Sequence, residues 1–370
     1  MKFKTVFFAA LLVIEIAVLD FAAGRFLIYL ESHHNAAIKK MQEAEHAIRT
    51  SSTIYHHDLK PLKSARVLWG NLRYTLTTNS LGFRDSQMRD IPLETSQHRI
   101  VFIGDSFTEG IGVDFDKTFV GIIQKKLAET GTSVLNAGVL SYSPVLYLKK
   151  IDYLINKVGL EFDELVVYID VSDMDDENQY HIFYSTRDSV NLEEERKKAV
   201  ATAELHDKKA LILTVGRKRN SLILRVIALL RDHFKRRSHQ KVFGARGLWR
   251  SSWTFDEKLY QTYGREGLER AKAHMDDLSK LLKSRGIQLT VAVYPWPDQI
   301  LHRDLNSRQV IFWKEWAQKN NVHFINHFPD FINGKNSKEV IKKFYLRKDM
   351  HWNQTGHRLV AEHFLKDRGN

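Results

Sequence analysis

Two short stretches at opposite ends of the chain carry residue types that could act together on an acyl group. Gly104-Asp105-Ser106 stands where an apolar, β-branched run over residues 99–105 gives way to a loop. A serine exposed at such a turn can be a nucleophile, with backbone N–H groups beside it to hold an oxyanion. It can equally be a turn or helix-cap serine. The longer string Gly104-Asp105-Ser106-Phe107-Thr108-Glu109-Gly110 favours the nucleophile. Near the far end lies Asp349-Met350-His351-Trp352-Asn353. Asn353 can cap a final helix, which puts His351 on the loop just before it. A histidine base needs an orienting carboxylate, and Asp349 is two residues away. Any one of seventeen histidines could be a plain surface residue. A serine after the first strand with an Asp/His pair after the last completes a serine–histidine–aspartate set of suitable topology. His357, one turn inside the last helix, reads as structural.

The elements that would position these residues alternate. Strands are expected over residues 99–105, 133–136, 164–170, 287–294 and 322–325, and helices over 118–129, 144–158, 265–285, 308–319 and 353–366. Strands separated by helices predict an α/β three-layer sandwich with a central parallel sheet. Sites in such sheets lie beyond the carboxyl ends of the strands. Ser106, Gly138, Ser172 with Asp173, Tyr294 with Trp296, and the segment before Asn353 all fall there. Pro295 and Pro297 stop the fourth strand and fix Tyr294 and Trp296 at its end. An aromatic face there could stack on a sugar ring as a substrate-binding element, or pack within a loop.

Taken in order, these blocks resemble the SGNH/GDSL hydrolase superfamily, from about Asn79 to the C-terminus apart from an insertion. Asn79-Ser80-Leu81-Gly82-Phe83-Arg84-Asp85 looks like the lead-in of many bacterial members, Gly104–Gly110 like the nucleophile block, and Asn136-Ala137-Gly138 like the second block. The resemblance implies a flavodoxin-like SGNH fold. It implies Ser106, His351 and Asp349 as the catalytic set, oxyanion donors from Ser106 and Gly138 with Ser172 as a third, and no metal or organic cofactor. Two positions depart from the pattern. Ser172 stands where the third block usually has Asn, and a hydroxyl has one donor and a shorter reach than an amide. The last block is Asp-x-His rather than Asp-x-x-His, a spacing similar to the alginate-type O-acetyltransferase branch. The resemblance therefore implies a serine esterase or O-acyltransferase acting on an acylated, O-acetylated extracytoplasmic substrate such as a glycan, or on a small ester. The missing Asn keeps a second reading open: a catalytically weak carbohydrate-binding or assembly protein on the same fold.

The chain has 370 residues, 43% of them apolar and 27% charged, enough for a real core and too apolar for general disorder. It has no cysteine, which excludes disulfides, thiolate metal sites and cysteine nucleophiles. Lys2 and Lys4 precede an apolar stretch over residues 5–30, broken by Glu15, Asp20 and Arg25. As a helix it rises about 39 Å, enough to cross a bilayer. This predicts a single-pass signal-anchor over residues 1–30 in the inner membrane, with the body periplasmic. A stalk and lead-in over 31–78 and a hydrolase-like domain over 79–370 follow, with a basic helical insertion over 174–262. Within the insertion, residues 217–250 hold eleven Lys/Arg opposed by Asp232 alone, so most of the net charge of +12 is local. The apolar, basic stretch 221–234 reads either as a helix on an anionic membrane surface or as a packed helix with basic flanks. Asp173, Asp175, Asp176 and Glu177 read as a solvated acidic loop. No nucleic-acid motif is present, and no nucleic-acid partner is expected.

Overall fold

The computed structural model describes residues 2–185, 221–224, 226, 248–332, 334 and 336–369. The chain divides into two compact units, Met1–Lys40 with Ser185–Gly244, and Met41–Tyr184 with Ala245–Asn370. In the first, Val6–Leu30 is a helical stretch long and apolar enough to cross a bilayer, and most of its large apolar side chains are exposed. Such a helix is compatible with a membrane anchor or a signal sequence. Of the basic helix expected over 221–234, residues 222–224 and 226 are helical, and the Ile223 N–H donates to Asp20 at 2.8 Å. Lys235, Arg236, Arg237 and most of that basic stretch lie outside the described residues.

In the second unit the sequence expected as stalk and lead-in is built into the fold. The helix that starts at Lys2 ends at Ile48, and two hairpins follow. The first pairs β1 (Arg49–Ser52) with β2 (His56–Leu59) and the second β3 (Ser64–Trp69) with β4 (Leu72–Thr77), both antiparallel. Gly70-Asn71 makes the tight turn of the second, with Gly70 at φ +57°. Val67, Tyr74 and Leu76 are buried, because alternate residues of a strand face one side. Buried ions tie this lead-in down. Arg49 holds Glu109 with both guanidinium nitrogens, and Lys150 reaches Asp58 at 2.8 Å.

The central sheet is all parallel, in the order β6 (Ser133–Asn136), β5 (Arg99–Gly104), β7 (Glu164–Ile169), β8 (Gln288–Val293), β9 (His323–Asn326). β5 and β7 are buried at every residue, which is why their sequences are almost unbroken apolar runs rather than alternating ones. Helix Pro144–Tyr153 packs on Arg265–Ser284, and Phe119–Ala128 packs on Gln354–Asp367. The strand order reverses between β5 and β7, the switch point at which such sheets open a crevice. The acidic run after β7 is no solvated loop. It opens helix Asp173–Ser185, where Arg250 meets Asp175 at 3.0 Å and Asp176 at 2.7 Å. Glu177 accepts from Ser143 Oγ and the Val145 N–H.

Candidate active site

β5 ends at Gly104, where a Cβ would lie 2.2 Å from Thr108 Oγ1 and 2.8 Å from the Tyr168 carbonyl oxygen, so no larger residue fits. The chain then turns sharply into the one-turn helix Ser106–Glu109. Asp105 caps it by accepting from the Phe107 N–H at 2.9 Å. Gly110 closes the turn in the left-handed region, φ +78°. This geometry sets Ser106 at the carboxyl end of β5, beside the switch point.

His351 comes from the loop between helices Ser337–Phe344 and Gln354–Asp367. Asn353 starts the second helix by accepting from the Thr355 and Gly356 N–H groups. The loop is held from both ends: the Leu346 N–H donates to the His351 carbonyl oxygen at 2.8 Å, and Tyr345 Oη donates to the Pro295 carbonyl oxygen at 2.7 Å. The outcome is a continuous hydrogen-bonded line. Ser106 Oγ lies 2.8 Å from His351 Nε2, and His351 Nδ1 lies 2.5 Å from Asp349 Oδ1, which also accepts from the His351 N–H at 2.9 Å. Ser106 and His351 are each only 5% exposed. Burial alone would raise the Asp349 carboxyl. The hydrogen bonds and charge of His351, with a bond from Trp69, outweigh it and hold Asp349 below its ordinary value. Trp69, from β3, donates Nε1–H to Asp349 Oδ2 at 2.9 Å, and its ring stands edge-on to the His351 ring at 5.3 Å. The sequence reading missed Trp69.

The N–H groups expected as oxyanion donors are less free. The Ser106 N–H opens its helix and has no acceptor within it. The Gly138 N–H donates to Asn136 Oδ1 at 3.0 Å, and the Ser172 N–H to Asp170 Oδ1 at 2.7 Å. Tyr294 and Trp296 occupy the expected strand end, in the packed one of the two roles open to them. They are 0% and 3% exposed, so neither offers a ring face to a sugar. Their polar atoms serve acids instead: Tyr294 Oη donates to Asp105 at 3.1 Å and Trp296 Nε1 to Asp170 at 2.7 Å. His357 is enclosed. Burial, with the positive charge of Arg84 and of His351, holds it neutral, down to about 3, and its Nδ1 accepts from the Phe119 N–H.

Asp105, Asp170 and Asp173 form a buried group of carboxylates, with one oxygen of each lying within 4.8 Å of the others. Burial first, and then the charge of Asp170, pushes the Asp105 and Asp173 carboxyls well above the usual range. Like charges this close cannot all ionise. The Ser106 hydroxyl has one proton and two acceptors in reach, His351 Nε2 and, at 3.1 Å, Asp105 Oδ2. Ser106 Oγ donates toward Asp105 Oδ2 in this geometry, and the pressure toward a neutral Asp105 weakens that competitor for the serine proton.

Residues 250–366 match the model of a family described as "SGNH hydrolase-like domain, acetyltransferase AlgX"; the match takes in Asp349 and His351. No curated protein matches the chain. Solved structures similar to it include the psychrotrophic esterase EstA from Pseudoalteromonas sp., at 11% identity over 74% of this chain and 97% of that one, TM-score 0.38. Axe2, an acetylxylan esterase from Geobacillus stearothermophilus, matches at 14% identity over 76% and 97%, TM-score 0.39. A two-domain esterase active on acetylated mannans matches at 10% identity over 74% and 49%, TM-score 0.38.

Proposed function

Residues 250–366 match an SGNH hydrolase-like family, and on that likeness we propose a serine-dependent ester hydrolase or O-acyltransferase of the SGNH/GDSL type. The observation that carries the proposal is the line from Ser106 Oγ through His351 to Asp349 at 2.8 and 2.5 Å. Ser106 Oγ attacks the acyl carbonyl while His351 Nε2 takes its proton. The tetrahedral oxyanion is held by the Ser106 N–H and by the Gly138 N–H, which turns from Asn136 or is shared with it. Collapse expels the alcohol, which receives the proton from His351, and leaves the acyl group on Ser106. Water or a sugar hydroxyl then attacks, deprotonated by His351, and releases the acid or the transferred ester. Asp349 keeps the imidazole oriented and stabilises its cation throughout. The substrate class proposed is an O-acetylated glycan or a small ester outside the cytoplasm. The Val6–Leu30 helix would act as a single-pass anchor in the inner membrane.

A fluorophosphonate probe tests this. The full chain should be labelled, and Ser106→Ala should remove the label. The second reading, a catalytically weak carbohydrate-binding or assembly protein, is favoured by the engaged Gly138 N–H and by Ser172 in the place of Asn. It expects the folded wild type to stay unlabelled. The Asp105 arrangement carries its own expectation. Asp105→Asn, whose amide can donate to Ser106 and still accept from Phe107 and Tyr294, should keep turnover within about tenfold of wild type. Asp105→Ala, which uncaps Phe107 and frees the Tyr294 hydroxyl, should lose more. Equal rates for Asp105→Ala and wild type would remove Asp105 from the account.

A further inference from the structure

Away from Ser106, a second group of histidines and a carboxylate converges on one point. His327 follows β9 directly, Asp330 lies in helix Phe328–Ile332, and His363 projects from helix Gln354–Asp367. His327 Nδ1 lies 3.1 Å from Asp330 Oδ2, and His363 Nδ1 makes a close contact with the same oxygen. The two rings stand nearly perpendicular, centroids 4.7 Å apart. The three ligand-type atoms all fall within 4.8 Å of one another.

We propose that His327, Asp330 and His363 bind a divalent transition metal, with Zn²⁺ the expected occupant. Two imidazole nitrogens and one carboxylate oxygen are a donor set for borderline metals rather than for magnesium or calcium. Metal-ligating imidazoles need their second nitrogen hydrogen-bonded, and here that partner is built in: His327 Nε2 lies 3.2 Å from Tyr168 Oη. A phenol can donate or accept. Without metal, Tyr168 donates to a bare Nε2 while Nδ1–H faces Asp330. With metal, the proton moves to Nε2, Tyr168 accepts it, and Nδ1 is freed for the ion. The network is therefore satisfied in both states. His327 is fully enclosed, whereas the side chains of Asp330 and His363 are 21% and 28% exposed, which leaves a path for the ion and a place for a water as fourth ligand. The ion would clasp the segment after β9 to the C-terminal helix, whose cap, Asn353, is two residues from His351.

Calorimetric titration of the full-length, tag-free chain in detergent with ZnCl₂ tests the site. One equivalent should bind with micromolar affinity or better. At a hundredfold excess over the dissociation constant the melting temperature should rise by about 5 °C. His363→Ala and Asp330→Asn should each weaken binding at least about tenfold, while His323→Ala, on the neighbouring pair with Asp367, should leave it unchanged. Fluorophosphonate labelling of Ser106 is a separate readout, so loss of zinc binding and loss of the esterase reading cannot be confused. No saturable binding, or binding that survives both ligand variants, would overturn the proposal and leave a self-sufficient hydrogen-bonded cluster.

Discussion

Exchanging Asp349 for asparagine is expected to lower turnover of a small aryl acetate by about 10⁴-fold and leave the fold standing. The reason is the donor count around this side chain. Asp349 accepts from the His351 ring, from the His351 N–H and from Trp69 Nε1. An amide has only one acceptor atom. If its oxygen stays toward His351, its NH₂ group faces the Trp69 N–H, donor against donor. If it turns to satisfy Trp69, the NH₂ group meets His351 Nδ1. The imidazole then takes the other tautomer, with a proton on Nε2, and cannot accept from Ser106. His351→Ala removes the base itself and should be at least as damaging. A wild-type rate in either variant, with a melting temperature close to that of the parent, would show that the base lies elsewhere.

The next largest effect is expected at Trp69, a positioning residue. Trp69→Phe keeps a ring edge against His351 and keeps the packing of β3, but deletes the hydrogen bond to a charged carboxylate. Bonds of that kind contribute about 1.5–3 kcal/mol, so kcat should fall about ten- to a hundredfold. Trp69 touches Asp349 and His351, so the loss should appear in kcat with KM for a small ester unchanged. A purely structural role would instead lower the melting temperature and spare kcat. That pattern in Trp69→Phe would sink the assignment.

The sheet was legible because strands buried on both faces leave little choice of residue. Residues 99–105 and 164–170 could hardly be anything else, and the helices between them carry an apolar stripe at helical spacing. The meeting of Ser106, Asp349 and His351 could be read because strand-end positions in a parallel sheet converge whatever the loops do. The β3–β4 hairpin was harder. Gly70-Asn71 is a fair turn signal, but β3 and β4 are only six residues each, and a half-exposed hairpin of that length scarcely differs in composition from a polar stalk. Trp69 could not be assigned from its neighbours, since its partner lies 280 residues away. Tyr294 and Trp296 were located correctly, and their direction was left open between a sugar-stacking face and a packed loop. A proline-flanked aromatic at a strand end looks the same whether it faces a ligand or a buried acid. Only the positions of Asp105 and Asp170 decide.

The hydrogen-bonded line from Ser106 to Asp349 is assembled from parts of the chain that are synthesised far apart. Ser106 and His351 are 245 residues apart, and Asp349 is steadied by a tryptophan 280 residues before it. Contacts of such long range form late in folding, because loop closure must precede any gain from them. A chain still being made, or one cut short before residue 349, can have a complete nucleophile elbow and an inert serine. On the proposed function, Ser106 would gain its base only once the segment around His351 has docked, so that an unfinished chain would meet its surroundings as a bystander.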